Sequence, residues 1–156
     1  MLEIGSKAPE FSLPNQNGEQ VKLSALSDKW VILYFYPKAL TPGCTVQACA
    51  LATHKEELDK LNAVAVGVSA DRAALLKRFE EIKDLNFTLL GDESENHDML
   101  RAYQAWGLKK FMGREYDGIH RITYIINPEG KIAHTIEKVK TKTHHEEVIT
   151  FLQSQI

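Results

Sequence analysis

The chain has 156 residues, 44% of them hydrophobic and 26% charged, with a formal net charge of −2 and two cysteines. This length suits one domain, residues 1–156, that buries about two thirds of its unfolded surface without disulfide staples, and the interspersed charge gives no reason to expect nucleic acid or an anionic membrane as a partner. No apolar run approaches a membrane span and Met1–Ser6 carry neither a basic region nor an apolar signal core, so a cytoplasmic location is expected, where two cysteines point to catalysis or redox sensing rather than a permanent bridge.

Phe11-Ser12-Leu13 and Val21-Lys22-Leu23 alternate apolar and polar around Asn15-Gln16-Asn17-Gly18, which predicts an N-terminal β-hairpin. Trp30–Tyr36 is an unbroken apolar run rich in aromatic and β-branched residues, the pattern of a strand buried on both faces. A helix is expected from Pro42 to Leu61, with Val46, Leu51, Leu58 and Leu61 on its apolar side. Ala63–Ser69 reads as a second buried strand, followed by a helix capped by Asp71 and running to Ile82. Phe87–Leu90 is a short strand, Gly91–Asn96 a polar loop, and His97–Ala105 a short helix. Trp106–Tyr116 shows no clear period and is left irregular. Ile119–Ile126 and Lys131–Glu137 flank Asn127-Pro128-Glu129-Gly130, a turn with Pro second and Gly fourth, and so form a second hairpin. A final helix spans Thr143–Gln155, with the histidines at 144 and 145 expected on its surface. The order β-α-β-α-β-α, hairpin, helix implies an α/β protein of thioredoxin-like fold, with a central mixed sheet and helices on both faces.

Both cysteines fall in Pro37-Lys38-Ala39-Leu40-Thr41-Pro42-Gly43-Cys44-Thr45-Val46-Gln47-Ala48-Cys49, where the first buried strand hands over to a helix. Thr41-Pro42 is a helix opening: the hydroxyl can accept from an orphan N–H, and Pro at the first helical position has no donor to waste. Cys44 therefore sits in the first turn, where unpaired N–H groups and the helix dipole favour an anion, the thiolate. A buried, inert cysteine is the alternative reading of Cys44 taken alone. Five residues of α-helix separate the Cα atoms of Cys44 and Cys49 by about 8.6 Å, more than the ~7 Å that a disulfide spans. Any reaction joining the two sulfurs requires the helix start to unwind. A zinc site using the cysteines with His54, or with His144 and His145, lacks a recognised ligand spacing, and no metal or organic cofactor is expected.

Pro37-x-x-x-Thr41-x-x-Cys44 resembles the active-site motif of peroxiredoxins, and Pro42-Gly43-Cys44 with a second cysteine at Cys49 resembles the bacterioferritin comigratory protein, or peroxiredoxin Q, subfamily. Ala8–Pro14 and Phe111–Arg121 resemble further segments of that subfamily, so the likeness spans nearly the whole chain. The resemblance implies a thiol-dependent peroxidase acting on hydrogen peroxide and organic hydroperoxides, with Cys44 peroxidatic, Cys49 resolving, Thr41 and Arg121 completing the site, and Pro37 shaping and shielding it. It also implies an intramolecular Cys44–Cys49 disulfide, recycling by thioredoxin or a similar dithiol protein, and a monomer, with dimers in some relatives. Arg121 is expected in a strand that shows Ile119, Thr123 and Ile125 on the same face, where a guanidinium needs a partner: a thiolate, a bound peroxide, or a nearby Glu. Val46-Gln47 replaces the Lys-Glu pair of many subfamily members, so a carboxylate is absent there. The rival readings are a thioredoxin-type disulfide reductase, disfavoured by the four-residue spacing between the cysteines, and a non-enzymatic module that only senses oxidation.

Overall fold

The computed structural model describes residues 1–156. Its centre is a five-stranded mixed sheet in the order β5-β4-β3-β8-β9, built from β3 (Trp30–Phe35), β4 (Ala63–Ser69), β5 (Thr88–Gly91), β8 (Thr123–Ile126) and β9 (Ile132–Ile136). β3 runs parallel to β4 and antiparallel to β8. The period-2 geometry of a strand sorts the apolar run of β3 between two cores. Val31, Leu33 and Phe35 enter one, and Ile32, Tyr34 and the adjacent Tyr36 enter the other.

The first face is covered by the N-terminal hairpin, β1 (Ser12–Pro14) with β2 (Gln20–Lys22), and by α4 (Asp98–Ala102). The hairpin has the expected alternation, with Leu13 opposite Val21, and the Asn15 side-chain oxygen accepts the N–H groups of Asn17 and Glu19 to close its turn. The second face is covered by α1 (Pro42–Thr53), α2 (Lys55–Lys60), α3 (Ala73–Lys83) and α5 (His144–Gln153). The β8–β9 hairpin turns where predicted, at Asn127–Gly130, with Gly130 at φ +85°. No helix is long and apolar enough to cross a membrane.

Several expectations are corrected. The helix expected over Pro42–Leu61 is two helices, broken at His54, whose Nδ1 lies 2.8 Å from the Ala50 carbonyl and whose ring packs on that of His145, 4.5 Å between centroids. The buried stripe of α1 is Cys44, Gln47, Ala48 and Leu51, at i, i+3, i+4 and i+7; Val46 faces solvent. The segment left irregular is an antiparallel ribbon of β6 (Trp106–Phe111) and β7 (Arg114–Ile119), turned through Met112 and Gly113, both at positive φ. Most of the ribbon is solvated on both faces, so no burial period marks its sequence. The strand expected over Ile119–Ile126 is accordingly split between the end of β7 and β8. His144 is not a surface residue: it is 1% exposed, and its Nε2 lies 2.9 Å from the Thr123 hydroxyl. Burial, with the charges of His145 and Arg121, pushes its pKa down to about 4.

Candidate active site

β3 ends at Phe35, and the Tyr36 N–H makes the last bond to β4, donating to the Val68 carbonyl. The chain then leaves the sheet through Pro37, Lys38, Ala39 and Leu40 and enters α1. Pro37 is half-buried at the start of this loop and Ala39 is buried. Leu40 has φ +66°, a left-handed conformation that a residue with a Cβ adopts only when its surroundings impose it. Thr41 follows in extended conformation as the N-cap, and its carbonyl accepts the Thr45 N–H. Its hydroxyl does not cap the helix as expected: it donates to the Lys38 carbonyl at 2.7 Å, inside the loop. Pro42 stands at the first helical position, as the sequence predicts.

Cys44 is the third residue of α1 and is 1% exposed. The backbone N–H groups of this first turn have no intrahelical acceptor and point toward the space at the helix start, a setting that favours negative charge. Arg121 completes it. Its Nη2 lies 3.4 Å from the Cys44 sulfur and donates to it, while Nη1 donates to the Gln47 side-chain oxygen at 3.0 Å. The sequence left a thiolate, a peroxide or a Glu as partner of this guanidinium. The structure supplies the sulfur and an amide oxygen one helical turn on, and the three ion pairs of the chain lie elsewhere.

Arg121 is not in a strand. It occupies the short link between β7 and β8, where the Ile122 N–H turns back to the His120 carbonyl and the Ile122 carbonyl accepts the Phe35 N–H. The link is therefore tied to the end of β3, the strand that also delivers Cys44. A methyl group at Gly43 would stand 3.4 Å from Nη2, so the glycine leaves that flank of the guanidinium uncovered. Cys49 is half-exposed on the same unbroken helix and both cysteines are free. Helical geometry keeps their Cα atoms about 8.6 Å apart, so they do not meet while α1 is intact.

Three further residues stand near the site. Gln47 is fully buried; a polar residue on the inward stripe of a helix signals only that some partner must exist. Lys109, from β6, donates to the Ile119 carbonyl, and burial together with the charge of Arg121 pulls its pKa down, with Cys44 acting the other way. Tyr34 lies beneath α1 on β3, where burial pushes its pKa well up, helped by Tyr36 and Cys44.

The AhpC/TSA family model matches residues 4–135. Peroxiredoxin Bcp of Escherichia coli is 49% identical over 152 residues, covering 97% of this chain and 96% of that protein. A solved structure of Xanthomonas campestris bacterioferritin comigratory protein, described as a trapped intermediate/ligand complex bearing on alkyl peroxide reduction, superposes with a TM-score of 0.86 at 30% identity, covering 93% of this chain and 91% of that one. A cysteine-to-serine variant of Xylella fastidiosa PrxQ gives a TM-score of 0.92 at 26% identity over 99% and 98% of the two chains. The likeness holds from the hairpin to the last helix, on a thioredoxin-like frame that carries a buried cysteine at a helix start, and the chain belongs to the AhpC/TSA family, as a thiol-dependent peroxidase of the Bcp and PrxQ type.

Proposed function

We propose that Cys44 is the sulfur that peroxide oxidises and Cys49 the thiol that resolves it. The observation that carries this reading is the Arg121 guanidinium donating to the Cys44 sulfur at the N-terminus of α1. In the first step the Cys44 thiolate attacks one peroxide oxygen and the O–O bond breaks. The second oxygen leaves with the bonding pair and takes a proton, becoming water or an alcohol. Cys44 is thereby oxidised by two electrons to the sulfenic acid. Charge develops on the leaving oxygen, and the donors for it are Arg121, the backbone N–H groups of the first turn and the Thr41 hydroxyl, whose proton must first turn away from the Lys38 carbonyl. Pro37, at the base of the loop, shapes and shields that space.

In the second step α1 unwinds at its start, the Cys49 thiol attacks the Cys44 sulfenic sulfur, and water leaves as the Cys44–Cys49 disulfide forms. A dithiol protein such as thioredoxin returns two electrons and two protons by thiol–disulfide exchange. The chemistry calls on no metal or organic cofactor. The protein acts as one domain, as a monomer in the cytoplasm, on hydrogen peroxide and organic hydroperoxides. The relatives' names and the alkyl peroxide chemistry described for the Xanthomonas protein support the substrate class.

The test is stopped-flow mixing of the reduced protein with one equivalent of hydrogen peroxide, following tryptophan fluorescence and free thiols, beside Cys44→Ser and Cys49→Ser. Wild type is expected to lose two thiols per chain rapidly, Cys44→Ser none, and Cys49→Ser one, with no sustained thioredoxin-coupled turnover. Oxidation no faster than that of a small-molecule thiol overturns the assignment of Cys44, and sustained coupled turnover by Cys49→Ser overturns that of Cys49.

A further inference from the structure

We infer that Asp71 is a positioning residue of the peroxidase site, its carboxylate fixing the Pro37–Thr41 loop through the Ala39 N–H. Asp71 lies just beyond β4, two residues before α3. The sequence suggests it as the cap of that helix, yet the N-cap is Arg72 and no side chain caps it. The carboxylate points instead at the catalytic loop: Oδ2 accepts the Ala39 N–H at 2.8 Å and the Ser69 hydroxyl at 2.9 Å. The Ser69 oxygen in turn accepts the Asp71 N–H at 3.2 Å.

Asp71 stands on a rigid base. Ser69 is fully buried at the end of β4, and its carbonyl accepts the Asp92 N–H. A Cβ on Gly91 would overlap the Asp71 carbonyl, 2.1 Å away, so the end of β5 is pressed against this backbone at a position only glycine can fill. On the other side, the loop has little to hold it. Between Pro37 and Thr41, the Ala39–Asp71 bond is the only hydrogen bond that leaves the segment for another part of the chain, the next being Thr41 to Thr45 within α1. Leu40, beside it, sits at φ +66°. A conformation that a residue resists on its own persists only when surrounding contacts over-determine it, and here a charge-assisted bond to the preceding residue supplies one. Thr41 and the start of α1 follow directly. Misplacing such groups by an ångström is enough to slow an oriented reaction about a hundredfold.

This inference rests on Cys44 being the peroxidatic sulfur, and the test separates the two. Variants are made in full-length Cys49→Ser protein, so that only Cys44 is followed, and its rate constants with hydrogen peroxide and with iodoacetamide are measured. Iodoacetamide needs the thiolate but not the donors that stabilise a departing oxygen. Asp71→Ala removes the acceptor, and Asp71→Glu keeps the charge but moves it by one methylene. Both are expected to lower the peroxide rate by more than about fivefold while leaving the iodoacetamide rate within about fivefold of the parent. Asp71→Asn keeps an acceptor oxygen for the Ala39 N–H and is expected to stay within about fivefold on both reagents. A smaller peroxide loss in Asp71→Ala, or in Asp71→Glu should the alanine variant not fold, overturns the inference. So does a loss in Asp71→Asn as large as in Asp71→Ala, or a parallel fall in both rates. A parent protein no faster with peroxide than free cysteine rejects the peroxidase site itself, whatever the Asp71 variants do.

Discussion

The two faces of the central sheet hold equal numbers of buried residues, nineteen in each core, but they treat buried polar atoms differently. On the face under the N-terminal hairpin, the Tyr103 hydroxyl donates to the Pro9 carbonyl, and the Tyr124 hydroxyl donates to the Tyr103 carbonyl at 2.7 Å while accepting the Leu2 N–H at 3.1 Å. These bonds stitch the first residues of the chain to the sheet. On the face under α1, the Tyr34 hydroxyl, the Gln47 amide nitrogen and the His144 Nδ1 find no protein partner, although Gln47 and His144 each spend their other polar atom on Arg121 or Thr123. On the first face both core tyrosine hydroxyls are paired, and the one unpartnered buried atom is the His97 Nδ1, whose ring lies against Trp106. The other face is committed on one side only, and it is the one that carries the cysteines.

The largest effect expected from this asymmetry is catalytic. Arg121→Ala removes the donor to Cys44 and to Gln47 together, and should lower the peroxide rate constant by roughly 10²–10³, the usual loss for one oxyanion donor; a rate within tenfold of wild type would break the link between the reacting face and its guanidinium. Acid should also act on this face first. The pKa of His144 falls from 6.5 in the unfolded chain to about 4 in the native protein, so between these values the unfolded state binds more protons. The stability that neutral, buried His144 confers is complete above pH 6.5 and drains away as pH falls to 4, by at most about 3 kcal/mol. Urea midpoints at pH 7 and pH 4 measure the drop, and His144→Gln should flatten this part of it.

Gly67 sits beneath Tyr34, where an added Cβ would stand 2.8 Å from the ring. Gly67→Ala should cost about 1–3 kcal/mol by overpacking, read from denaturant unfolding, and a neutral result would mean that the face has slack below the sheet as well as above it. The finest comparison pits two tyrosines against each other. Tyr124→Phe strands the Tyr103 carbonyl and the Leu2 N–H and should cost about 1–2 kcal/mol, whereas Tyr34→Phe deletes a hydroxyl without a protein partner and should change stability by less than about 0.5 kcal/mol. Equal losses would show the two faces to be equally bonded in solution.

The parts legible in the sequence are those where burial is one-sided or complete. The run Trp30–Tyr36 has no polar interruption because β3 is central, and Pro42-Gly43-Cys44 marks a helix start because proline and the orphan N–H groups leave few alternatives there. The β6–β7 ribbon escaped because its strands bury only their base, and because Met112-Gly113 takes the positive φ values that Asn-Gly usually announces. The break at His54 escaped for a related reason: the apolar spacing continues into Leu58, while the His54 ring turned back on Ala50 packs on His145, 91 residues further on. Thr41 and Asp71 both stand where the sequence predicts helix caps, the role their side chains most often fill, yet the loop they adjoin takes one as donor and the other as acceptor. Arg121 is legible by its chemistry although it lies in a link and not in a strand, since a guanidinium among apolar neighbours demands a partner in either setting.

The twelve residues of α1, Pro42 to Thr53, include no acidic and no basic side chain. The helix therefore has no charge pair along its surface and none at its poles, and a helix of this length is marginal on its own in water. What keeps it wound is the stripe seated in the second core. On the proposed reading, oxidation alters the residue at the head of that stripe and leaves Gln47, Ala48 and Leu51 as the remaining anchors. Bare helices of this size relax in about a microsecond, so if Cys44 and Cys49 are joined as proposed, the waiting time before the two sulfurs meet is set by how long Gln47, Ala48 and Leu51 take to let go, and that interval is the one in which a second peroxide molecule could reach the sulfenic acid.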